Sequence, residues 1–168
     1  DVEQLFSQIR GVSFNQKICP KKNVEVTFFQ NGHIVGASAI EVKFTYDNRD
    51  DIKILFTGDY NNKNLFFDVK EIPAENRRTP YSLVVCESTY GDVDSTDERF
   101  KPILCSNIKK AIHQGMKVII PAFAMGRTQE ICYYIKLMQD KGLLSKNIPV
   151  WQGGTSACEI TNRFRFNN

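Results

Sequence analysis

The sequence predicts an α/β fold in two parts, an antiparallel β region followed by a layer of alternating strands and helices. Three observations carry this. Polar and apolar residues alternate with the period of a strand between residues 24 and 56. From residue 82 onward, short apolar runs alternate with longer helix-patterned stretches, the order expected of a parallel sheet with crossover helices. Between the two lies a polar stretch, Gly91-Asp92-Val93-Asp94-Ser95-Thr96-Asp97, which reads as a boundary. At 168 residues the chain has room for one average domain or parts of two, and its 42% hydrophobic content is that of an ordinary globular protein.

The elements follow in order. Val2, Leu5, Phe6 and Ile9 fall on one side of an amphipathic opening helix. The start lacks methionine and the basic, then apolar, pattern of a signal peptide, so the sequence reads as a piece of a longer chain. Val24 to Phe29 is β-rich and alternating. Ala39 to Phe44 alternates again, Tyr46 to Asp51 supplies a polar turn, and Ile52 to Phe56 returns as the second arm of a hairpin. Ser82 to Cys86 is almost wholly apolar, as in a strand buried on both faces. A helix is expected from Phe100 to His113, with Pro102 in its first turn and Gly115 ending it. Met116 to Pro121 reads as a buried strand. Gly126 to Lys141 reads as a helix with Ile131, Ile135, Leu137 and Met138 inward, and Gly142 as its stop. Ile148 to Trp151 is the next expected strand, and a helix begins at Thr155 after a glycine pair.

Composition excludes several classes. No apolar run is long enough to span a bilayer, the stretch from Lys117 to Ala124 being among the longest. Cys19, Cys86, Cys105, Cys132 and Cys158 are widely spaced and odd in number, which argues against a disulfide scaffold or a cysteine zinc knuckle. Reduced, mostly buried thiols in a cytoplasmic protein are the expectation. A net charge of +3 permits a polyanionic partner without requiring one.

Four positions can carry chemistry. His33 lies in the loop Asn31-Gly32-His33-Ile34-Val35-Gly36-Ala37-Ser38, where glycines on both sides free the backbone to turn. It is either a metal ligand or a loop histidine bonded to the backbone. Asp59 follows a strand in Phe56-Thr57-Gly58-Asp59-Tyr60; its carboxylate either bridges metal ions or caps a turn. Glu87 closes an apolar strand in Glu87-Ser88-Thr89-Tyr90-Gly91, where it either orients a ligand histidine or sits solvated in a turn. Arg127, in Pro121-Ala122-Phe123-Ala124-Met125-Gly126-Arg127-Thr128-Gln129-Glu130, opens a helix whose free N–H groups suit a phosphate; an exposed arginine at a helix cap is the alternative. The glycine count there is too low for a nucleotide-binding P-loop. The other histidine, His113, fits the C-terminal end of a helix, where the dipole favours it.

Singly these segments say little, but their order and spacing resemble the β-CASP branch of the metallo-β-lactamase hydrolases over nearly the whole chain. That family includes mRNA 3′-end endonucleases and ribonuclease J-like enzymes. Its members usually carry Ala-Gly-His where this chain has Asn31-Gly32-His33, a mild departure; the Thr-Gly-Asp-Tyr and Glu-Ser-Thr-Tyr-Gly segments match without change. The resemblance implies that residues 1–91 are the later part of a metallo-β-lactamase αββα sandwich and residues 92–168 the opening of an α/β β-CASP cap. It makes His33 and Asp59 zinc ligands, with Asp59 shared between two Zn²⁺ ions. Glu87 becomes an acid pairing with a histidine far downstream, and Arg127 a grip on RNA phosphate. The implied protein is a cytoplasmic, zinc-dependent ribonuclease, endonuclease or 5′ exonuclease or both, with RNA as its partner, no membrane and room for a homodimer.

The family's His-x-His-x-Asp-His segment and its two downstream histidine motifs are not in this sequence, which holds two histidines in all. A complete dinuclear site cannot be assembled from these residues, so the fragment is expected to be inactive, marginally stable and to expose apolar sheet surface. Two other readings stand beside the ribonuclease. One is a degenerate relative that grips RNA or a partner without cutting, which retention of His33, Asp59 and Glu87 disfavours. The other is a small-molecule thioester or lactam hydrolase, which residues 92–168 disfavour because such enzymes lack the cap.

Overall fold

In the computed structural model, which describes residues 2–92 and 100–166, the chain falls into two units, Asp1–Thr89 and Tyr90–Asn168. Residues 93–97 of the boundary expected at 91–97 lie outside the described residues.

The first unit is built on the alternating segments. Helix α1 (Val2–Gln8) precedes strands β1 (Lys17–Lys21), β2 (Val24–Gln30), β3 (Ser38–Phe44) and β4 (Ile52–Phe56). Helix α2 (Ala74–Arg77) and strand β5 (Leu83–Val85) complete it. The strands form one mixed sheet in the order β1-β2-β3-β4-β5, antiparallel up to β4 and parallel between β4 and β5. Strand β1 was not expected from its sequence, because Pro20 and the lysines at its end weaken the alternation. It pairs with β2 through a register irregularity between Ile18 and Lys21, and the connecting turn is set by Asn23 at φ 62°.

Register sorts the side chains into two faces. Val26, Val42 and Ile54 form one cross-strand row, and Phe28, Ile40 and Phe56 another, so this face is continuously apolar yet only half-buried or exposed. The opposite face carries Phe29, Ala39 and Leu55, which are buried beneath Ile72 and Tyr81. Phe29 is 2% exposed, and withdrawing such a side chain from water is worth about 2–3 kcal/mol. Glu41 and Lys53 are buried on the same face and pair at 3.2 Å. The Tyr81 hydroxyl (2.7 Å) and the Asn76 amide (3.0 Å) donate to the Glu41 carboxylate, while the Lys53 ammonium donates to the carbonyls of Asn76 and Thr79. This network ties the crossover segment between β4 and β5 to the sheet. Burial, helped by the bond to Glu41, pushes the Tyr81 hydroxyl far above the ordinary phenol range.

The expectation that Ser82 to Cys86 is buried on both faces is not met. β5 is an edge strand whose Leu83, Val84 and Val85 are about half exposed, since among the described residues it has a ladder neighbour on one side only.

The second unit contains α3 (Phe100–His113), α4 (Arg127–Asp140) and α5 (Thr155–Phe166), close to the helices read from periodicity. Ile108, Tyr134, Met138 and Leu144 form its core. Gly115 and Gly142 end α3 and α4 with φ near +68° and +67°, each returning an N–H to the preceding turn. The two strands expected here are absent. Met116 to Pro121 and Ile148 to Trp151 are without regular structure, Ile119 and Trp151 being 88% and 89% exposed. An apolar run has strand character, but a strand exists only where a neighbour takes its hydrogen bonds. Neither segment has a ladder partner among the described residues, so no parallel sheet forms in this unit.

The thiols also differ from expectation: Cys19 and Cys86 are exposed, and the other three are half-buried. Among the described residues no helix is long and apolar enough to cross a membrane.

Candidate metal centre

Topology determines which loops meet. β2 and β4 both run antiparallel to β3, and β5 runs parallel to β4, so the C-terminal ends of β2, β4 and β5 lie at one end of the sheet. His33 comes shortly after β2, Asp59 shortly after β4 and Glu87 shortly after β5. Three chemically capable side chains are thereby delivered to one edge. The Nε2 of His33 stands 3.9 Å from the Oδ2 of Asp59, and both side chains are reachable from solvent.

The loops are held by main-chain and carboxamide bonds. Gly32 has φ +79°, and a Cβ placed there would come within 2.1 Å of the Asn61 carbonyl oxygen, so no other residue fits without moving the Asp59 loop. Asn31, which is buried, donates from Nδ2 to the carbonyls of Thr57 and Asp59, both at 2.9 Å, and its Oδ1 accepts the His33 N–H at 3.3 Å. The Asn64 amide donates to the Gly32 carbonyl at 3.0 Å. Residue-by-residue reading had not singled out Asn31 or Asn64. An asparagine between a strand end and a glycine was the available signal, since a buried carboxamide there must find partners among neighbouring backbone groups.

Glu87 is anchored through its N–H to the Thr57 hydroxyl (3.2 Å), and its carboxylate accepts the Thr89 N–H at 2.8 Å. Thr89's backbone N–H, its hydroxyl, the Tyr60 N–H and the nearby His33 hold the carboxyl below its usual range, against a smaller desolvation cost. Beside it, the Cys86 thiol pushes the Tyr60 hydroxyl upward.

Arg127 belongs to the second unit, at the first residue of α4, where its guanidinium pairs with Glu130 at 2.7 Å and remains largely exposed. Its helix begins at Gly126 without a side-chain cap. His113 ends α3, as expected of a dipole-favoured position.

One imidazole nitrogen and one carboxylate oxygen at this separation suit a zinc-like divalent ion as part of its ligand set. They do not complete one: among the described residues no group of three or more histidine, cysteine or acidic side chains is placed to hold a metal.

Strand-end loops present Asn-Gly-His, Thr-Gly-Asp-Tyr and Glu-Ser-Thr-Tyr-Gly at one end of the sheet, and comparison with known proteins agrees with the resemblance: the curated relatives are β-CASP metallo-β-lactamase RNA-processing nucleases, matched over part of their length. It is similar to an RNase J-like protein of Methanocaldococcus jannaschii, with 30% identity over 161 residues, covering 92% of this chain and 35% of the relative. It is also similar to the transcription termination factor FttA of Methanosarcina mazei, with 34% identity over 136 residues, covering 79% of this chain and 20% of that protein. Endoribonuclease YSH1 of Eremothecium gossypii is 29% identical over 133 residues, covering 78% and 16%. The chain thus spans about a third or less of the length of the curated relatives it matches. No family model matches the chain.

Proposed function

We propose that the complete protein is a zinc-dependent, cytoplasmic hydrolase of RNA phosphodiester bonds. His33 and Asp59 contribute to a site for two zinc ions, with Asp59 as the shared carboxylate. The convergence of these two side chains, 3.9 Å apart at the ends of β2 and β4, is the observation that carries the reading. The names of two relatives, an RNase J-like protein and an endoribonuclease, support RNA as the substrate. Residues 1–91 are then metallo-β-lactamase domain and 92–168 the start of the β-CASP cap.

Zinc bound at such a site supplies Lewis acidity toward a phosphoryl oxygen and lowers the pKa of its water. The chain's own residues supply the rest. His33 offers an imidazole nitrogen on a loop whose backbone is bonded by Asn31 and Asn64. Asp59 offers a solvent-exposed carboxyl oxygen beside that nitrogen. Glu87, whose carboxylate is held by the Thr89 N–H, is suited to accept an imidazole N–H and fix its tautomer. Arg127 gains a phosphate contact by exchanging its Glu130 partner.

The test is zinc content and RNA cleavage of the complete gene product beside its His33→Ala and Asp59→Ala variants. Each substitution is expected to cost more than the roughly 10–100-fold in affinity or activity that losing an outer-shell partner costs. Wild-type zinc content and cleavage in both variants would refute the site. Zinc and RNA binding without cleavage by the unaltered protein would make it a binding paralogue.

A further inference from the structure

We infer that Asn31 is a positioning residue that sets the approach of His33 to Asp59, and through it the affinity of the site for zinc. The inference rests on the proposed metal centre and adds to it a residue outside the ligand set.

His33 and Asp59 sit on separate loops after separate strands, 26 residues apart in sequence. Something must set their spacing before any ion arrives. The sheet brings both loops to the same end, but β3 lies between β2 and β4, so no ladder bond links the two strand ends directly. The Asn31 side chain makes that link. Both of its Nδ2 hydrogens are used on the Asp59 side, one on the Thr57 carbonyl and one on the Asp59 carbonyl, while Oδ1 takes the N–H of His33 itself. Its main-chain oxygen accepts the N–H of Asn61 at 2.9 Å, a second tie to the same loop.

These partners also determine the orientation of the carboxamide. Turned over, its oxygen would face two carbonyl oxygens and its NH₂ would face an N–H, so every contact would be repulsive. Asn31 is 8% exposed, so water cannot substitute for a lost partner. Asn64 reaches the His33 loop by donating to the Gly32 and His33 carbonyls, but it makes no bond to the Thr57–Asp59 segment. Of the two carboxamides, Asn31 is the one that bonds to both ligand residues, His33 and Asp59.

Asparagine and aspartate have the same shape, which separates a clamp from a space filler. In Asn31→Asp the acceptor for the His33 N–H survives, but a carboxylate oxygen replaces the NH₂ group facing two carbonyls. Asn31→Ala removes all three bonds. The experiment measures zinc affinity of the complete protein by chelator competition, with the thermal midpoint of the metal-free protein as a second readout. Both variants are expected to bind zinc at least about tenfold more weakly than the unaltered protein, the scale on which an orienting partner acts, with Asn31→Asp no better than Asn31→Ala. Asn64→Ala is expected to have the smaller effect.

Wild-type zinc affinity in Asn31→Asp would overturn the inference, because the carboxamide donors would then be dispensable. A lowered metal-free midpoint with unchanged zinc affinity in Asn31→Ala would overturn it too, leaving a purely structural role. So would unfolding of both variants that zinc does not reverse. The metal centre itself is tested separately: if His33→Ala and Asp59→Ala bind zinc normally the site is wrong, whereas if they lose it and Asn31→Asp does not, only this inference fails.

Discussion

The two units cover apolar surface by different means. In the first, five strands exchange ladder bonds, and the segment after β4 folds back over one face, burying Phe29, Ala39 and Leu55. In the second, α3 and α4 bring Ile108, Tyr134 and Met138 together with Leu144 into a core, while the extended segments carrying Ile119, Phe123 and Trp151 stay open to solvent. Those segments and α3 and α4 line an open cavity of about 790 Å³. The helices satisfy their backbone groups internally, so they form wherever one face can be buried. Extended segments cannot do this alone. Among the described residues the first unit contains its own ladder partners and the second does not, which is why similar apolar runs become a sheet in one and bare chain in the other.

The largest expected consequence concerns the 168-residue chain by itself. Half-buried Val26, Val42 and Ile54 in the first unit and exposed Ile119 and Trp151 in the second leave apolar surface of the kind that binds dye and associates. The isolated chain is expected to bind 8-anilinonaphthalene-1-sulfonate strongly and to melt over a broad range, without cleaving RNA. A sharp transition at high temperature with no dye binding would mean that the open surface is covered in solution, and the contrast between the units would collapse.

Next in size is the buried pair beneath the crossover. Glu41 and Lys53 have side chains 4% and 7% exposed, and each satisfies the other along with Tyr81, Asn76 and Thr79. Removing one partner leaves a charge stranded in low dielectric. Lys53→Met is therefore expected to destabilise the first unit by about 3–5 kcal/mol, while the double variant Glu41→Leu/Lys53→Met recovers much of that loss. Hydrogen exchange at the β3 and β4 amides, read separately from α3 and α4, measures it. Equal loss of protection in both units would show that they do not unfold separately.

What could be read from the sequence divides along the same line. The hairpin of β3 and β4 was legible because alternation and a polar turn are local, and so were α3 and α4, with Gly115 and Gly142 as their stops. Local pattern could not say that Leu83 to Val85 lies at an edge or that Met116 to Pro121 has no ladder partner among the described residues, because burial and pairing depend on residues distant in sequence. At the candidate site, His33, Asp59 and Glu87 were legible through the order of their motifs and the resemblance it carries, since each alone reads equally well as a loop or turn residue. Asn31 was not, since its role lies in partners 26 and 28 residues away.

The smallest effect compares two surface carboxylates, one in each unit. Lys43 reaches Asp51 at 2.8 Å across the β3–β4 hairpin; Lys136 reaches Asp140 one turn along α4. In each case the hydrogen bond from the lysine is the main reason the carboxyl lies below its ordinary value, with charge attraction a lesser contribution. A carboxyl depressed by folding stabilises the folded state above the unfolded pKa, near 4, and that contribution disappears as pH falls through the lower folded value. Carboxyl ¹³C titration of the complete protein is expected to give midpoints below the ordinary range for both. Lys43→Met should restore Asp51 alone, and Lys136→Met Asp140 alone. Because the hydrogen bond outweighs the attraction, molar salt should move each midpoint only part of the way back. The difference between the units appears on adding urea: Asp51 should become ordinary when the sheet melts, since its partner is on another strand, while Asp140 follows the helix. An Asp51 that titrates normally in the folded protein would mean that the hairpin pair is not formed in solution.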